Sequence, residues 1–303
     1  MESLPGWIDL IDPSEDELRT ELPPSVHPTA LALLRAPHVH DDEPRPRIES
    51  HGDYVLGVLL IAVAKREEDR VYYQEIDFIL TPEKLLTVSK TPPGEQAFDP
   101  KPAQEACKPD EHVGMYAFRL IDEIAERYLD LIDDLNDEID ELEDNVEVWS
   151  SERVRNRISA LRHDLLHIRR TLTPTRDAVH KIVDDRVELD NFELFPRDVE
   201  LHFADAYDKL LRATDGLETS RDLVAGVRDY LQAKVSNDQN EVTKRLTVIA
   251  SLLLVPTFIV GLYGQNFHHI PELSWSFGYW WSWAWIVGTT VVQLAFFRWK
   301  RWI

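Results

Sequence analysis

Two uncharged apolar runs near the C-terminus restrict the fold of this chain more than any other feature. Residues 246–263 and 278–297 contain no Asp, Glu, Lys or Arg. At 1.5 Å per helical residue, each run would be roughly 27–30 Å long, which matches the hydrocarbon thickness of a bilayer. The sequence therefore predicts a membrane hairpin of two helices. The tripeptide Gly264–Gln265–Asn266 lies at its turn.

Basic residues flank the two runs on one side of the predicted membrane. They are Lys244, Arg245, Arg298, Lys300 and Arg301, whereas the loop 264–277 contains neither Lys nor Arg. By the positive-inside rule, both termini are predicted to be cytoplasmic and the loop to be outside. Residues 1–13 contain no basic stretch followed by an apolar one, so no signal peptide is predicted. We expect a multi-pass protein of the cell membrane.

The charge of the chain restricts its partners. The 303 residues include 55 acidic and 33 basic side chains, which gives a net charge of −22. This excess argues against nucleic acid and against wide contact with anionic lipid, and it favours cations. A generally acidic proteome would explain the same excess. Cys107 is the one cysteine, which excludes an intrachain disulfide and a thiolate metal cluster.

The rest of the sequence predicts a water-facing body. Stretches 54–64, 71–80 and 84–89 are rich in β-branched and aromatic residues, which indicates an α/β module with an antiparallel or mixed sheet. From residue 111 onward the apolar residues recur every three or four positions, and this period predicts long helices. A helix at 151–183 is expected to bend or end early at Pro174. A third helix is predicted to run unbroken from Pro196 to Tyr263.

The predicted fold class is an α+β membrane protein with an N-terminal α/β/α cytoplasmic domain and a long stalk helix continuous with the first span. The predicted segments are the sheet module 1–110, helices completing the soluble domain 111–195, the stalk helix 196–245, the first span 246–263, the outer loop 264–277, the second span 278–297 and the basic tail 298–303.

A stripe of mostly small or hydroxylated residues follows one face of the predicted stalk and first span. Its members are Asn240, Thr243, Leu246, Ala250, Leu254, Thr257, Gly261 and Gly264, spaced three or four apart. Such a stripe permits close helix packing, or it lines a pore. Two spans per chain cannot enclose a water path, so a pore requires several subunits. Asn266 would then form a ring of amides suited to a hydrated Mg²⁺, with a ring of Glu272 in the outer loop.

Several motifs resemble the CorA family of magnesium transporters. The strongest is Tyr263–Gly264–Gln265–Asn266–Phe267, followed by Pro271–Glu272–Leu273. Weaker matches occur in the family's order from Trp7–Ile8–Asp9–Leu10 to Lys300–Arg301–Trp302, so the resemblance covers nearly the whole chain. Gln265 stands where the family usually has Met, and Pro256 is displaced by one residue from the family's proline.

This resemblance implies a funnel-shaped homopentamer with Gly264, Gln265 and Asn266 as its selectivity filter. It implies that the stripe and Asn266 line the pore, and that Leu246 and Leu254 are hydrophobic constrictions able to gate flow by dewetting. The family closes when cytoplasmic Mg²⁺ rises, and Asp205 is the matching regulatory acid on the stalk. The sequence does not place its partner in the α/β module, for which Asp77 and Asp99 are the two candidates. Mg²⁺ is then both the transported and the regulatory ion, with Co²⁺ and Ni²⁺ as further cargo and no cofactor.

Three alternatives stay open on the sequence. One is a zinc transporter of the ZntB type. Another is a membrane-anchored scaffold or sensor that conducts no ion. His268–His269, close to Asn266, could bind cobalt or nickel at the mouth or be ordinary loop residues. No phosphate-binding loop, Ser-His-Asp context or zinc-type His/Cys cluster was found, so neither an enzyme nor a nucleotide-driven pump is predicted.

Overall fold

The structure of the chain is a computed structural model, in which residues 6–39, 43–65, 70–108, 111–266, 268 and 270–302 are described. The chain forms two compact units, Met1–Arg228 and Asp229–Ile303. The boundary between them falls inside the predicted stalk segment.

A five-stranded mixed sheet forms the centre of the first unit. Its strands are β1 (Trp7–Ile11), β2 (Arg47–Ser50), β3 (Val55–Lys65), β4 (Arg70–Leu80) and β5 (Leu85–Lys90). The order across the sheet is β1-β5-β4-β3-β2, and β1 pairs with β5 in parallel while the other pairs are antiparallel. The three predicted β-stretches are therefore confirmed, as is the mixed character of the sheet.

Two short helices, α1 (Glu15–Glu21) and α2 (Pro28–Arg35), cover one face of the sheet. Ser14 caps α1 through a capping box with Glu17, which satisfies two backbone donors at the helix start. Buried apolar residues from both helices pack on the strands. The largest part of this cluster is Leu18, Leu34, Tyr54, Leu56, Ile79, Leu86 and Val88.

The long helix α4 (Val113–Asn145), which follows the short α3 (Lys101–Glu105), covers the opposite face. Thr87 lies between Leu86 and Val88 on β5, so its side chain points away from α1 and α2. Trp7 Nε1 donates to Thr87 Oγ1 at 3.0 Å, and the Trp7 ring lies 6.4 Å from that of Tyr116 on α4. The soluble part of the chain is thus an α/β/α sandwich.

Helix α5 (Ser151–Val183) runs beside α4 and passes through Pro174 without ending there. Tyr128 of α4 donates its hydroxyl to Leu60 O at 2.6 Å and lies 2.9 Å from Thr171 Oγ1 of α5. This buried phenol therefore connects the sheet and both helices. The early end at Pro174, one of the two predicted outcomes, does not occur because the side chains on both sides of the proline, such as Leu172 and Val179, are fully buried.

Helix α6 is continuous from Arg197 to Tyr263 (67 residues), as the sequence predicts to within one residue. In the first unit it packs closely on α4. A Cβ atom on Gly216 would lie 2.8 Å from Ile132 Cγ2, so a side chain at this crossing would require Ile132 to shift. Ser220 Oγ donates to Asn136 Oδ1 at 2.7 Å one turn further along.

Strands β4 and β5 carry a cluster of buried charged side chains. Lys90 Nζ lies 2.5 Å from Glu75 Oε1 and 2.8 Å from Asp77 Oδ2, and it also donates to Leu33 O at 3.0 Å. His38 Nδ1 is 3.6 Å from Glu75 Oε2. Burial raises the pKa of Asp77, although the Lys90 ammonium opposes this shift. Asp77, one of the two suggested partners of Asp205, is thus fully buried in the single chain.

Asp9 on β1 gives the first unit a predicted dependence on pH. Burial raises the pKa of its carboxyl to about 6 from an ordinary 3.8, against the opposing hydrogen bond from Thr87 Oγ1 at 2.6 Å. From about pH 4 to about pH 6 the folded state keeps a proton that the unfolded chain releases. Raising the pH through this interval is therefore expected to lower the free energy of unfolding.

This dependence is measurable as the midpoint of thermal unfolding between about pH 4 and about pH 7. Asp9→Asn, whose amide oxygen still accepts from Thr87, is expected to give a flatter curve than the wild type. Asp12→Asn, at an exposed position of the same strand end, should keep the wild-type slope. Superimposable slopes for Asp9→Asn and the wild type would contradict the assignment.

Candidate ion-conduction site

The second unit is a helical hairpin made of the end of α6 and α7 (Gly278–Trp299), joined through a 3-10 turn at Pro271–Ser274. One face of α6 packs on α7. Val248 is buried on this face, and Gln293 Nε2 of α7 donates to Ser251 O at 3.3 Å. Val255 lines a cleft with Trp281 and Trp285 of α7. The face of α6 that contacts α7 therefore carries residues 248, 251 and 255.

The predicted lining residues of α6 point away from the face that packs on α7. At about 100° per residue, the centre of the stripe 243–261 is about 130° from the centre of that face. All of its members are exposed, namely Thr243, Leu246, Ala250, Leu254, Thr257 and Gly261. The single chain thus leaves this stripe uncovered along its whole length.

Exposed apolar side chains on this stripe need a covering that the chain itself does not supply. Leu246 is 61% exposed and Leu254 is 69% exposed, and neighbouring faces expose Phe258 and Val260. A continuous apolar surface of this kind indicates contact with lipid or with other copies of this chain. Within the described residues, one helix, Arg197–Tyr263, is long and apolar enough to cross a membrane, and its most apolar 18-residue window is only 6% buried.

Helix α7 has the length to span a membrane, but its aromatic residues make it less apolar than α6. Tyr279, Trp280, Trp283 and Trp285 are exposed near its start, and Trp299 is exposed at its end. Exposed Trp and Tyr at both ends of a helix are typical of positions at the two membrane interfaces. A second span at 278–297 therefore stays a prediction.

Thr257 presents an oxygen rather than a hydrogen atom to its surroundings. Its Oγ1 donates to Leu253 O at 2.7 Å, so its hydroxyl hydrogen is used within the helix. Thr243 Oγ1 donates in the same way to Gln239 O at 2.8 Å. Each hydroxyl oxygen keeps lone pairs that can accept hydrogen bonds from water, including water bound to a cation.

Backbone sterics at the end of α6 explain the glycine that precedes Gln265 and Asn266. Gly264 N donates to Val260 O at 2.9 Å, and a Cβ at position 264 would lie 3.2 Å from that same oxygen. A side chain at this position would therefore require the Val260 carbonyl to shift by a few tenths of an ångström. Gln265 and Asn266, which follow directly, are both exposed. Phe267 and His269 lie outside the described residues, and His268 is exposed.

The turn that carries Glu272 packs tightly on the start of α7. A Cβ on Gly278 would lie 2.2 Å from Glu272 O, so a side chain cannot be accommodated there. Trp275 packs its ring at 6.3 Å from that of Trp281. The half-buried Glu272 is thus held at the end of α7 that is nearest to Asn266 in the sequence.

Asn240 lies apart from the rest of the predicted stripe. By helical geometry it is about 80° from the stripe centre. It lines a cleft of about 500 Å³ together with Asn237, Glu241, Lys244, Arg245, Arg301 and Trp302. Asn240 therefore lies among basic residues of α6 and near Arg301, which follows the end of α7.

The comparison with known families decides how this hairpin is classified. The family described as CorA-like Mg²⁺ transporter protein matches residues 5–301, nearly the whole chain. The chain belongs to the CorA family. The family consists of transporters rather than enzymes, in keeping with the absence of enzyme motifs in the sequence.

Two CorA proteins and one ZntB protein illustrate the range of its relatives. The cobalt/magnesium transport protein CorA of Thermotoga maritima is 29% identical over 309 residues, covering 99% of this chain and 84% of that protein. The complete structure of the CorA magnesium transporter of Methanocaldococcus jannaschii has a TM-score of 0.78 at 22% identity, covering 98% and 91% of the two chains. The zinc transport protein ZntB of Yersinia enterocolitica is 26% identical over 166 residues, covering 55% and 49%.

Asp205, the CorA-type regulatory acid predicted on the stalk, is exposed on α6 in the first unit. It lines an open cleft of about 670 Å³ with Asp122, Asp208, Lys209 and Arg212 among others. Lys209 Nζ lies 2.6 Å from Asp122 Oδ1 and 2.5 Å from Glu126 Oε1, so it neutralises part of this acidic surface. Asp99, the second suggested partner, is exposed, and its Oδ1 accepts from Lys101 N at 3.2 Å. Among the described residues no group of three or more potential metal ligands was found.

Proposed function

We propose that this protein is a passive, channel-type transporter of divalent cations, with Mg²⁺ as its main cargo and Co²⁺ and Ni²⁺ as further cargo. The observation that carries the proposal is the exposed stripe of α6, which points away from the face that packs on α7 and ends at Gly264–Gln265–Asn266. A helix whose outer faces are apolar but whose stripe carries Thr257 and Thr243 suits a path for a hydrated ion. Membership of the CorA family and the names of its cobalt/magnesium relatives support the same cargo.

In this proposal several copies surround the path, and the protein is a homopentamer in the cell membrane with both termini cytoplasmic. Asn266 forms the ring that selects the ion, with Gly264 and Gln265 completing the filter and Glu272 attracting cations at the outer mouth. Mg²⁺ gives up its water reluctantly, so amide and hydroxyl oxygens that accept from its hydration shell hold it without replacing that water. Neutral oxygens bind the ion weakly enough for release.

Flow through the path is gated at two levels. Leu246 and Leu254 form apolar rings that exclude water when they are close together. Asp205 of each chain binds cytoplasmic Mg²⁺ together with a carboxylate of a neighbouring chain and holds the closed state. Thr243, Ala250, Thr257 and Gly261 line the remainder of the path. No nucleotide is used, since the membrane potential drives entry.

Competitive uptake separates this proposal from a zinc transporter and from a scaffold. The purified protein is reconstituted in liposomes with a magnesium-sensitive dye, and external Co²⁺, Ni²⁺ or Zn²⁺ is added at increasing ratios. We expect uptake of Mg²⁺ to be reduced by Co²⁺ and Ni²⁺ and to be driven by an inside-negative potential. Zinc uptake without magnesium uptake would favour the ZntB-type alternative. The absence of any ion flux would favour a scaffold or sensor.

A further inference from the structure

Two histidines of α5 lie with their ring nitrogens at the separation that a metal-binding pair requires. His163 and His167 are one helical turn apart, and their Nε2 atoms lie 3.1 Å from each other. Their ring centroids are 4.2 Å apart. Two nitrogens on one tetrahedral Zn²⁺, each at about 2.0–2.1 Å, are about 3.3–3.4 Å apart. Two adjacent octahedral positions at about 2.1 Å are about 3.0 Å apart. The observed separation falls between these values.

Tyr73 of β4 holds the inner histidine of this pair. Its Oη lies 3.0 Å from His167 Nδ1, and the two rings are stacked with centroids 6.1 Å apart. Burial raises the pKa of the Tyr73 hydroxyl, so it stays a neutral phenol. When its oxygen accepts the Nδ1 hydrogen of His167, the lone pair of that ring lies on Nε2, which faces His163. A hydrogen-bond partner on the other ring nitrogen, which orients the ring, is typical of histidines that bind metals.

We propose that His163 and His167 bind a divalent transition-metal ion, Zn²⁺, Ni²⁺ or Co²⁺, with Tyr73 as the positioning residue for His167. Both histidines are accessible to solvent, His163 being exposed and His167 half-buried. No third His, Cys, Asp or Glu joins them among the described residues, so water fills the remaining positions. Imidazole suits these ions and not Mg²⁺, which prefers oxygen. The site is therefore expected to bind these ions in preference to Mg²⁺, the proposed main cargo.

Binding at this pair would also connect α5 to the sheet. Tyr73 belongs to β4 and His163 to α5, so an ion that fixes the histidines strengthens the Tyr73–His167 contact between the two elements. A ligand that binds only the folded state raises the midpoint of thermal unfolding.

Calorimetric titration of the full-length protein in detergent with Zn²⁺, in millimolar Mg²⁺ to saturate sites for hard cations, tests the proposal. We expect the wild type to bind one more Zn²⁺ per chain than His163→Gln or His167→Gln. Tyr73→Phe should retain this site with an affinity reduced about tenfold or more. His202→Gln, an exposed histidine that packs on Phe118, is the matched control and should bind as the wild type does.

Equal stoichiometry and affinity for His163→Gln and the wild type would overturn the proposal. A second measurement needs no variant and remains decisive if His167→Gln fails to fold. Zn²⁺ should raise the thermal midpoint of the wild type near pH 7.5, and excess chelator should reverse the rise. No shift in the midpoint with Zn²⁺ would count equally against the site. Transport is not part of either readout, so the result is independent of the proposed channel.

Discussion

Replacing Asn266 by Ala is expected to abolish Mg²⁺ uptake by liposomes that contain the purified protein. The substitution removes the exposed amide next to the end of α6 and, in an assembly, removes it from every subunit at once. A hydrated Mg²⁺ would then lose the oxygens that accept hydrogen bonds from its water, and methyl groups cannot replace them. Uptake should fall to the level of liposomes without protein.

Asn145→Ala is the matched control for this experiment. Asn145 is the last residue of α4, and its Nδ2 donates to Glu141 O at 2.8 Å on the surface of the first unit. The same chemical change there should leave uptake within about twofold of the wild type, because the loss of one exposed hydrogen bond costs about 0.5–1.5 kcal/mol of stability at most. Both variants should elute at the wild-type position in gel filtration. Wild-type uptake by a correctly assembled Asn266→Ala protein would exclude Asn266 from the filter.

Replacing Lys90 by Ala is expected to reduce the free energy of unfolding of the first unit by about 3–5 kcal/mol. Lys90 is the cation between Glu75 and Asp77, and the side chains of all three are at most 4% exposed. Its removal leaves two carboxylates in one buried site with no ammonium between them. The repulsion between these carboxylates and their lost solvation cost much more free energy than the loss of the few packing contacts of the lysine stem.

Chemical denaturation of the full-length protein, followed by tryptophan fluorescence, measures this effect. Lys84→Ala is the matched control, because Lys84 forms a more exposed ion pair with Glu21 at 2.9 Å. Exposed pairs contribute about 0–1 kcal/mol, so this control should unfold near the wild-type denaturant concentration. A further variant, Lys90→Ala with Asp77→Asn, removes one of the two unpaired charges and should recover part of the loss. Equal stability of Lys90→Ala and Lys84→Ala would show that the buried cluster contributes nothing beyond a surface pair.

The helices of this fold were predictable because their apolar residues recur at helical spacing over long continuous stretches of sequence. The apolar residues of α4 that recur every three or four positions, from Leu120 to Leu142, are all buried. The absence of proline between Pro196 and Pro256 predicts the continuity of α6. Pro256 itself lies inside the helix. The sheet was predicted by composition only. The parallel pairing of Trp7 with Leu85 connects residues nearly 80 positions apart, which no local pattern specifies.

The candidate site could be predicted from the sequence only in part. The exposed stripe and its end at Gly264 follow from helical spacing, but the direction of the stripe depends on how α6 packs on α7. Asp77, suggested as a partner of Asp205, is buried through strand pairing, which the sequence leaves open. The pair His163 and His167 was overlooked, although the spacing of four residues on a predicted helix could have drawn attention to it. The contribution of Tyr73 comes from another element and was not predictable.

The contact at Gly216 has a consequence for motion within the first unit. Ile132 of α4 occupies the space that any side chain at position 216 would need. A change of register by one residue would move α6 by about 1.5 Å along its axis and rotate it by about 100°, and Leu217 or Asp215 would then lie against Ile132 in place of glycine. The Ser220–Asn136 hydrogen bond favours the present register. This stretch of α6 is therefore expected to move together with α4 rather than to change register against it.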